Sequence, residues 1–232
     1  MNLQISPVAH IESIFPDKFG IPRQSGLAED IEARIVFEKP FRNMDALRGL
    51  TGFSYLWLIW GFSENPRITE KNWSPTVRPP RLGGNKKVGV FATRSSFRPN
   101  GLALSSVRIK EIRQDSKLGP VIIVSGADLM NGTPIYDIKP YISTDCHPDA
   151  VCGFQEETKD YRLKVDFPPQ LLSVIPAPLQ KGLLEVLSQD PRPSYQNDSQ
   201  RIYGIRFAGF DVRFQVEDDI LTVIEICRFQ HN

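Results

Sequence analysis

At 232 residues, with 41% apolar and 24% charged residues, the chain has the composition of an ordinary soluble globular protein of one large domain or two smaller ones. Its longest apolar run, 55–62, is far too short to cross a bilayer, and residues 1–15 lack the basic head and long apolar core of a signal peptide. Three cysteines argue against a disulfide framework and fit a reducing cytoplasm, while a net charge of +1 excludes neither an anionic nor a cationic partner until its distribution is examined.

Taken in order, Ser6–Phe15 alternates as a strand and ends in a turn, 16–26, whose Gly20, Pro22 and Gly26 hold Arg23 and Gln24 in place. Ala33–Glu38 is a strand, and Asn43–Leu50 reads as one short helix closed by Gly52. Ser54–Phe62 is apolar on both faces and predicts a fully buried central strand. Between Glu70 and Glu111 there is no Asp or Glu but nine cations, which leaves 19 cations against 27 acids, about −8, for the rest of the chain. A polarity of this kind favours a polyanionic partner.

Pro79-Pro80 and Gly83-Gly84 rule out a long basic helix, so these cations flank a short strand at Val88–Thr93. Arg94 and Arg98 bracket Ser95, Ser96 and Phe97 on a turn closed by Pro99, Asn100 and Gly101. Rigidly presented arginines beside hydroxyls suit phosphate or carboxylate. Strands follow at Leu102–Ile112, Val121–Leu129 and 135–141, the last entered through the turn Gly132–Pro134. Residues 144–159 turn polar and loop-like, which divides the chain into domains 1–150 and 151–232. Beyond them come a strand at Tyr161–Phe167, a helix over Pro168–Gln189 interrupted at Pro176 and Pro178, and a meander of Arg201–Phe207, Phe210–Val216 and Leu221–Arg228. The fold class is therefore mainly β: an N-terminal β-barrel with a small C-terminal α+β domain.

Cys146, His147 and Cys152 supply at most three metal ligands, so free thiols and no metal site are expected. The chain contains no Gly-rich dinucleotide fingerprint, no P-loop and no nucleophile elbow.

Eight segments in order, 19–24, 56–58, 77–85, 89–95, 97–100, 132–134, 137–141 and 190–195, resemble the signature blocks of the TsaA-like family, most closely its TrmO-type tRNA methyltransferases. The resemblance implies a homodimeric, cytoplasmic β-barrel enzyme that uses S-adenosylmethionine. Its substrate would be N6 of threonylcarbamoyladenosine, the modified purine 3′ of the anticodon in threonine tRNA. It places the cofactor against Pro22, Arg23, Gln24, Phe62, Ser63, Arg94, Leu104, Asp128, Leu129, Met130 and Asn131. Departures fall at Ser63, where the family commonly has His or Asp, at Asn131, where Asp is usual, and after Asn100, where Gly101, Leu102 and Ala103 replace Pro and Gly.

Arg78, Arg81, Lys86 and Lys87 form the expected electrostatic footprint for the anticodon arm, with Arg192 as a further RNA contact. Carbamoylation makes N6 a poor nucleophile, so an acceptor for its proton is expected, either Asp137 or Tyr195. Arg94, Arg98 or Lys139 would pair with the carboxylate of the adduct. A non-catalytic RNA-binding module and a methyltransferase acting on a small molecule or protein remain alternative readings.

Overall fold

The computed structural model describes residues 3–64, 72–79, 82, 85–192 and 198–229. Six strands, β1 (Ala9–Glu12), β2 (Glu32–Phe37), β3 (Tyr55–Gly61), β6 (Leu102–Asp115), β7 (Gly119–Ser125) and β8 (Pro134–Pro140), form a closed barrel in the order β1-β2-β7-β6-β3-β8. Every neighbouring pair is antiparallel, and β1 closes the cycle by pairing with both β2 and β8. Between β3 and β6 a two-stranded ribbon, β4 (Thr76–Val77) with β5 (Val88–Gly89), stands on the rim.

Side-chain alternation explains the barrel. In β3, Leu56, Leu58 and Trp60 point inward with Ile11, Ile35, Val107, Ile122, Val124 and Ile135, whereas Tyr55, Trp57 and Ile59 are half-buried on the outside. The expectation of a strand buried on both faces is corrected: the outer row is covered in part, by Tyr141, whose ring lies 5.3 Å from that of Trp57, and by Arg108, whose guanidinium lies 4.7 Å from the Tyr55 ring. Trp60 is satisfied inside the barrel because its indole N–H donates to Ser105 Oγ at 2.9 Å.

Several elements are shorter than their apolar runs. The expected helix at 43–50 is two 3₁₀ turns, Met44–Leu47 and Leu50–Gly52, separated where Gly49 adopts φ +86°. The strand expected at Val88–Thr93 stops at Gly89 and continues as the 3₁₀ turn Val90–Ala92. β7 ends at Ser125 rather than Leu129 because Gly126 (φ +76°) turns the chain.

The remaining sheet, in the order β10-β11-β12-β9, comprises β9 (Lys164–Asp166), β10 (Tyr203–Phe207), β11 (Phe210–Glu217) and β12 (Ile220–Arg228). β9 joins its edge parallel to β12. Ala208 and Gly209, both at positive φ, make the tight β10–β11 turn that suits the twist of a two-residue hairpin. The helix splits into α1 (Pro169–Leu172) and α2 (Ala177–Ser188); Pro178 sits in the first turn of α2, where its missing N–H costs nothing.

α2 lays Leu183, Val186 and Leu187 on the inner face of this sheet, against Ile205, Phe207, Val212, Phe214 and Leu221. Phe15, Ala28 and Ile31 from the first part of the chain belong to the same core, and the Phe15 ring meets Phe207 edge-on at 6.2 Å. Each fully buried side chain of this size contributes about 1.5–3 kcal/mol. A Cβ on Gly182 would come within 2.5 Å of Ile31 Cγ1, so that glycine lets α2 approach the 28–31 segment.

Candidate functional site at the barrel rim

In an antiparallel barrel, alternate connections emerge at the same end. Segments 13–31, 61–64, 93–101 and 126–133 therefore share one rim. Two glycines bring the first and last of these together. Gly26 N–H donates to Gly126 O at 2.8 Å, and a Cβ on Gly126 would lie 3.3 Å from the Gly26 backbone. Ser13 fixes the other side, donating through Oγ to Leu129 O (2.9 Å) and through its N–H to Asn131 Oδ1 (3.1 Å). The 93–98 turn is held by its own hydroxyls: Ser95 N–H donates to Thr93 Oγ1, and Phe97 N–H to Ser95 Oγ.

These loops enclose a continuous cleft. An inner cavity of about 460 Å³ lies between Pro22, Arg23 and Gln24, the end of β3 at Ile59, Trp60 and Phe62, the start of β6 at Leu102–Ser105, and Asp128. An outer cavity of about 680 Å³ shares Arg23, Gln24, Thr93 and Arg94 with it and extends to Arg78, Phe97 and Phe154. An annex of about 230 Å³ reaches Ser63, Met130 and Lys18 past Phe62 and Asp128. Both larger cavities have the size of small-molecule sites, about 300–1,000 Å³.

Asp128 stands where the inner cavity and the annex meet. Its Oδ1 is shut off from solvent and has no hydrogen-bond partner among the described residues. Burial raises its carboxyl above the usual range, with Ser105 and Arg94 pulling the other way. Arg94 donates to Gln24 Oε1 at 2.5 Å, and Gln24 Nε2 donates to Arg23 O at 2.6 Å. Arg23 in turn donates to the carbonyls of Asp190 (2.8 Å) and Arg192 (3.1 Å), so the turn after α2 is clipped to the cleft wall. Burial lowers the Arg23 pKa, partly offset by Asp190.

Eleven of the expected residues line the cleft: Pro22, Arg23, Gln24, Phe62, Ser63, Arg78, Arg94, Arg98, Leu104, Asp128 and Met130. Leu129 is instead fully buried in the barrel core, and Asn131 acts as the acceptor that holds Ser13. Asp137 and Lys139 lie off the cleft lining on the outer face of β8, paired with each other at 3.0 Å. Lys86 and Lys87 are exposed and line none of the three cavities.

Arg192, expected to contact RNA, is turned inward at 7% exposure and donates to both oxygens of Asp190, at 2.8 and 3.0 Å. Burial of Asp190 is outweighed by that ion pair, which leaves its carboxyl below the usual range; Tyr161 donates to it as well. Arg81 and Tyr195 lie outside the described residues. Sequence reasoning missed Trp60 and Ser105, which form the inner wall, and Phe154, which comes from the polar 144–159 linker; a lone aromatic in that linker was the available signal. The three cysteines are exposed and free, and no described helix is long and apolar enough to cross a membrane.

Comparison with known proteins gives two family-model matches, tRNA-methyltransferase O N-terminal domain over residues 10–146 and TrmO C-terminal domain over 160–229. The chain is 39% identical over 229 residues to the tRNA (adenine(37)-N6)-methyltransferase of Escherichia coli K12, covering 94% of each. It is 34% identical to a putative S-adenosylmethionine-dependent methyltransferase, RcsF, of Pseudomonas aeruginosa, covering 97% of this chain and 98% of that one. Its fold matches the crystal structure of TrmO from P. aeruginosa with a TM-score of 0.77 at 31% identity over 98% of both chains.

Proposed function

The chain belongs to the tRNA-methyltransferase O family, and on that premise we propose that it methylates N6 of adenosine 37 in tRNA with S-adenosylmethionine as donor. The acceptor in this reading is the threonylcarbamoylated form of that base. The protein works as a cytoplasmic homodimer, with domains 1–150 and 151–232. The observation that carries the reading is the convergence of Arg23, Gln24, Phe62, Arg94, Leu104 and Asp128, from five separated stretches, on one cavity.

The residues present fit the cofactor. Asp128 offers a buried carboxylate oxygen with no partner among the described residues, which suits a cationic or hydroxyl-bearing ligand group. Ile59, Trp60, Phe62, Leu102 and Leu104 supply apolar walls for a purine. The cofactor supplies one electrophilic methyl group on a sulfonium. Positioning then dominates, since the acceptor nitrogen must be held in line and kept dry. Gln24 fixes Arg94 beside that junction, and Arg23 fixes Gln24 through its backbone. The N6 proton must leave as the new bond forms. Tyr195, three positions after the Arg192 carbonyl that Arg23 holds, takes that role here; Asp137, paired with Lys139 off the cleft lining, does not.

The test is incubation of purified protein with labelled S-adenosylmethionine and bulk tRNA that carries or lacks the threonylcarbamoyl group, followed by nucleoside mass analysis. Methylation of the threonylcarbamoylated nucleoside alone is expected. Equal methylation of both pools removes the claim about the acceptor, and methylation of neither removes the function.

A further inference from the structure

The outer cavity has a chemistry of its own. Its described lining contains three arginines, hydroxyls from Thr76, Ser95 and Ser96, and the amides of Gln24 and Gln155, with no carboxylate among the described residues. Phe97 and Phe154 add two aromatic side chains. A donor-rich, acid-free chamber with aromatic surface favours a flat ligand that bears a negative charge. The wall shared with the inner cavity, Arg23, Gln24, Thr93 and Arg94, puts such a ligand beside the methyl donor of the proposed reaction.

The cations about this cleft differ in how far they are engaged. Arg23 donates to two backbone carbonyls and Arg94 to Gln24. Arg98 donates to the carbonyls of Thr93 (3.1 Å) and Ser95 (3.3 Å), so it braces the turn it belongs to. Lys139, the other cation expected to meet a carboxylate, is paired with Asp137 away from the cavity. Arg78 lines the outer cavity and has no hydrogen bond or ion pair among the described residues.

Arg78 is also firmly presented. It follows Val77, which pairs with Val88 in the β4–β5 ribbon, and precedes Pro79, whose carbonyl accepts from Leu82 N–H at 3.1 Å. The base of the ribbon is held where Val90 N–H donates to Pro75 O at 2.9 Å and the rings of Trp73 and Phe91 lie 6.0 Å apart.

We propose that Arg78 is the specificity-determining residue of the outer cavity, where its guanidinium binds a carboxylate carried by the acceptor base. The assignment rests on the proposed tRNA methylation and names what that reaction selects. A forked guanidinium recognises a carboxylate through paired charge-assisted hydrogen bonds, and a neutral analogue forfeits them. An RNA phosphate is the competing anion, and a contact to it would be indifferent to the chemistry of the base.

The test compares wild type with Arg78→Gln on two acceptors: tRNA with threonylcarbamoyladenosine, and the same tRNA with that carboxylate converted to a primary amide. kcat/KM is measured for each, and S-adenosylmethionine affinity by calorimetry reports whether the variant is folded. Wild type should prefer the acid to the amide by about 10- to 150-fold, and Arg78→Gln should reduce that preference to within about threefold of unity. A variant that slows equally on both acceptors assigns Arg78 to phosphate and overturns the proposal, as does a variant that keeps the wild-type preference. Wild type inactive on both acceptors overturns the methylation reading itself, and the assignment falls with it.

Discussion

Asp128→Asn separates the stability of the fold from its affinity for the donor. The carboxyl is buried, its Oδ1 lacks a partner among the described residues, and burial raises its pKa. A carboxyl whose folded-state pKa exceeds its unfolded value holds its proton more tightly in the fold. Its contribution to stability is therefore full below the unfolded value, about 3.9, and is lost as pH rises through the raised one. The ligand-free protein consequently carries a buried, under-satisfied carboxyl, a defect that costs about 1–3 kcal/mol. Asparagine keeps the shape and removes the ionisable group. Relief of about 1–2 kcal/mol in a chain of this length raises Tm by roughly 2–8 °C, measurable by scanning calorimetry at pH 7 without ligand. On the proposed placement of the donor against Asp128, the same change would remove a charge-assisted hydrogen bond to it and should weaken S-adenosylmethionine binding about 10- to 150-fold in a calorimetric titration. A variant no more stable than wild type, or one that binds the donor within about threefold of it, refutes the reasoning.

Asp190 works with the opposite sign: Arg192 holds its carboxyl below the usual range, so the stability it lends is present above the unfolded pKa and lost as pH falls through the depressed one. Tm measured from pH 5 downward should therefore fall more steeply in wild type than in Asp190→Asn, and parallel curves would contradict this. Gly182→Ala gains about 1 kcal/mol in helix propensity but drives a methyl onto Ile31, at about 1–3 kcal/mol, so Tm should drop; a rise would show that α2 has slack there. Replacing Lys86 and Lys87 together with glutamine should flatten the slope of log tRNA affinity against log salt by about 0.9 per lost phosphate contact, with donor affinity unchanged. Residues 1–150 expressed alone should bind a hydrophobic dye and associate, because Phe15, Ala28 and Ile31 lose the core they share with α2 and its sheet; a monodisperse, dye-silent product would contradict that packing.

Much of the fold was legible because one-sided burial leaves a period of two in the residues themselves. β10 and β11 alternate buried with half-buried or exposed positions from end to end, and both stand where alternation places them. The errors cluster at glycines whose φ no composition reveals: Gly49 split one expected helix, and Gly126 cut short the strand expected over Val121–Leu129. Turn chemistry and charge singled out Arg23, Gln24, Arg94 and Arg98, but the rest of the cleft lining could be named only through family blocks, since the contact that assembles it, Gly26 against Gly126, joins positions a hundred apart. Arg192 was misread for a related reason. In a Pro-rich turn an arginine looks solvent-bound, and only the aspartate two positions earlier hinted that it would fold back.

The clip between Arg23 and the carbonyls of Asp190 and Arg192 also orders events in time. A chain made from its N-terminus has all six barrel strands in hand by Pro140, some fifty residues before the two acceptors exist. The barrel can thus close early around a rim whose key guanidinium still dangles in water. The clip is set only once residues 190–192 have been made, and a polypeptide released before them carries a closed barrel whose rim lacks both acceptors.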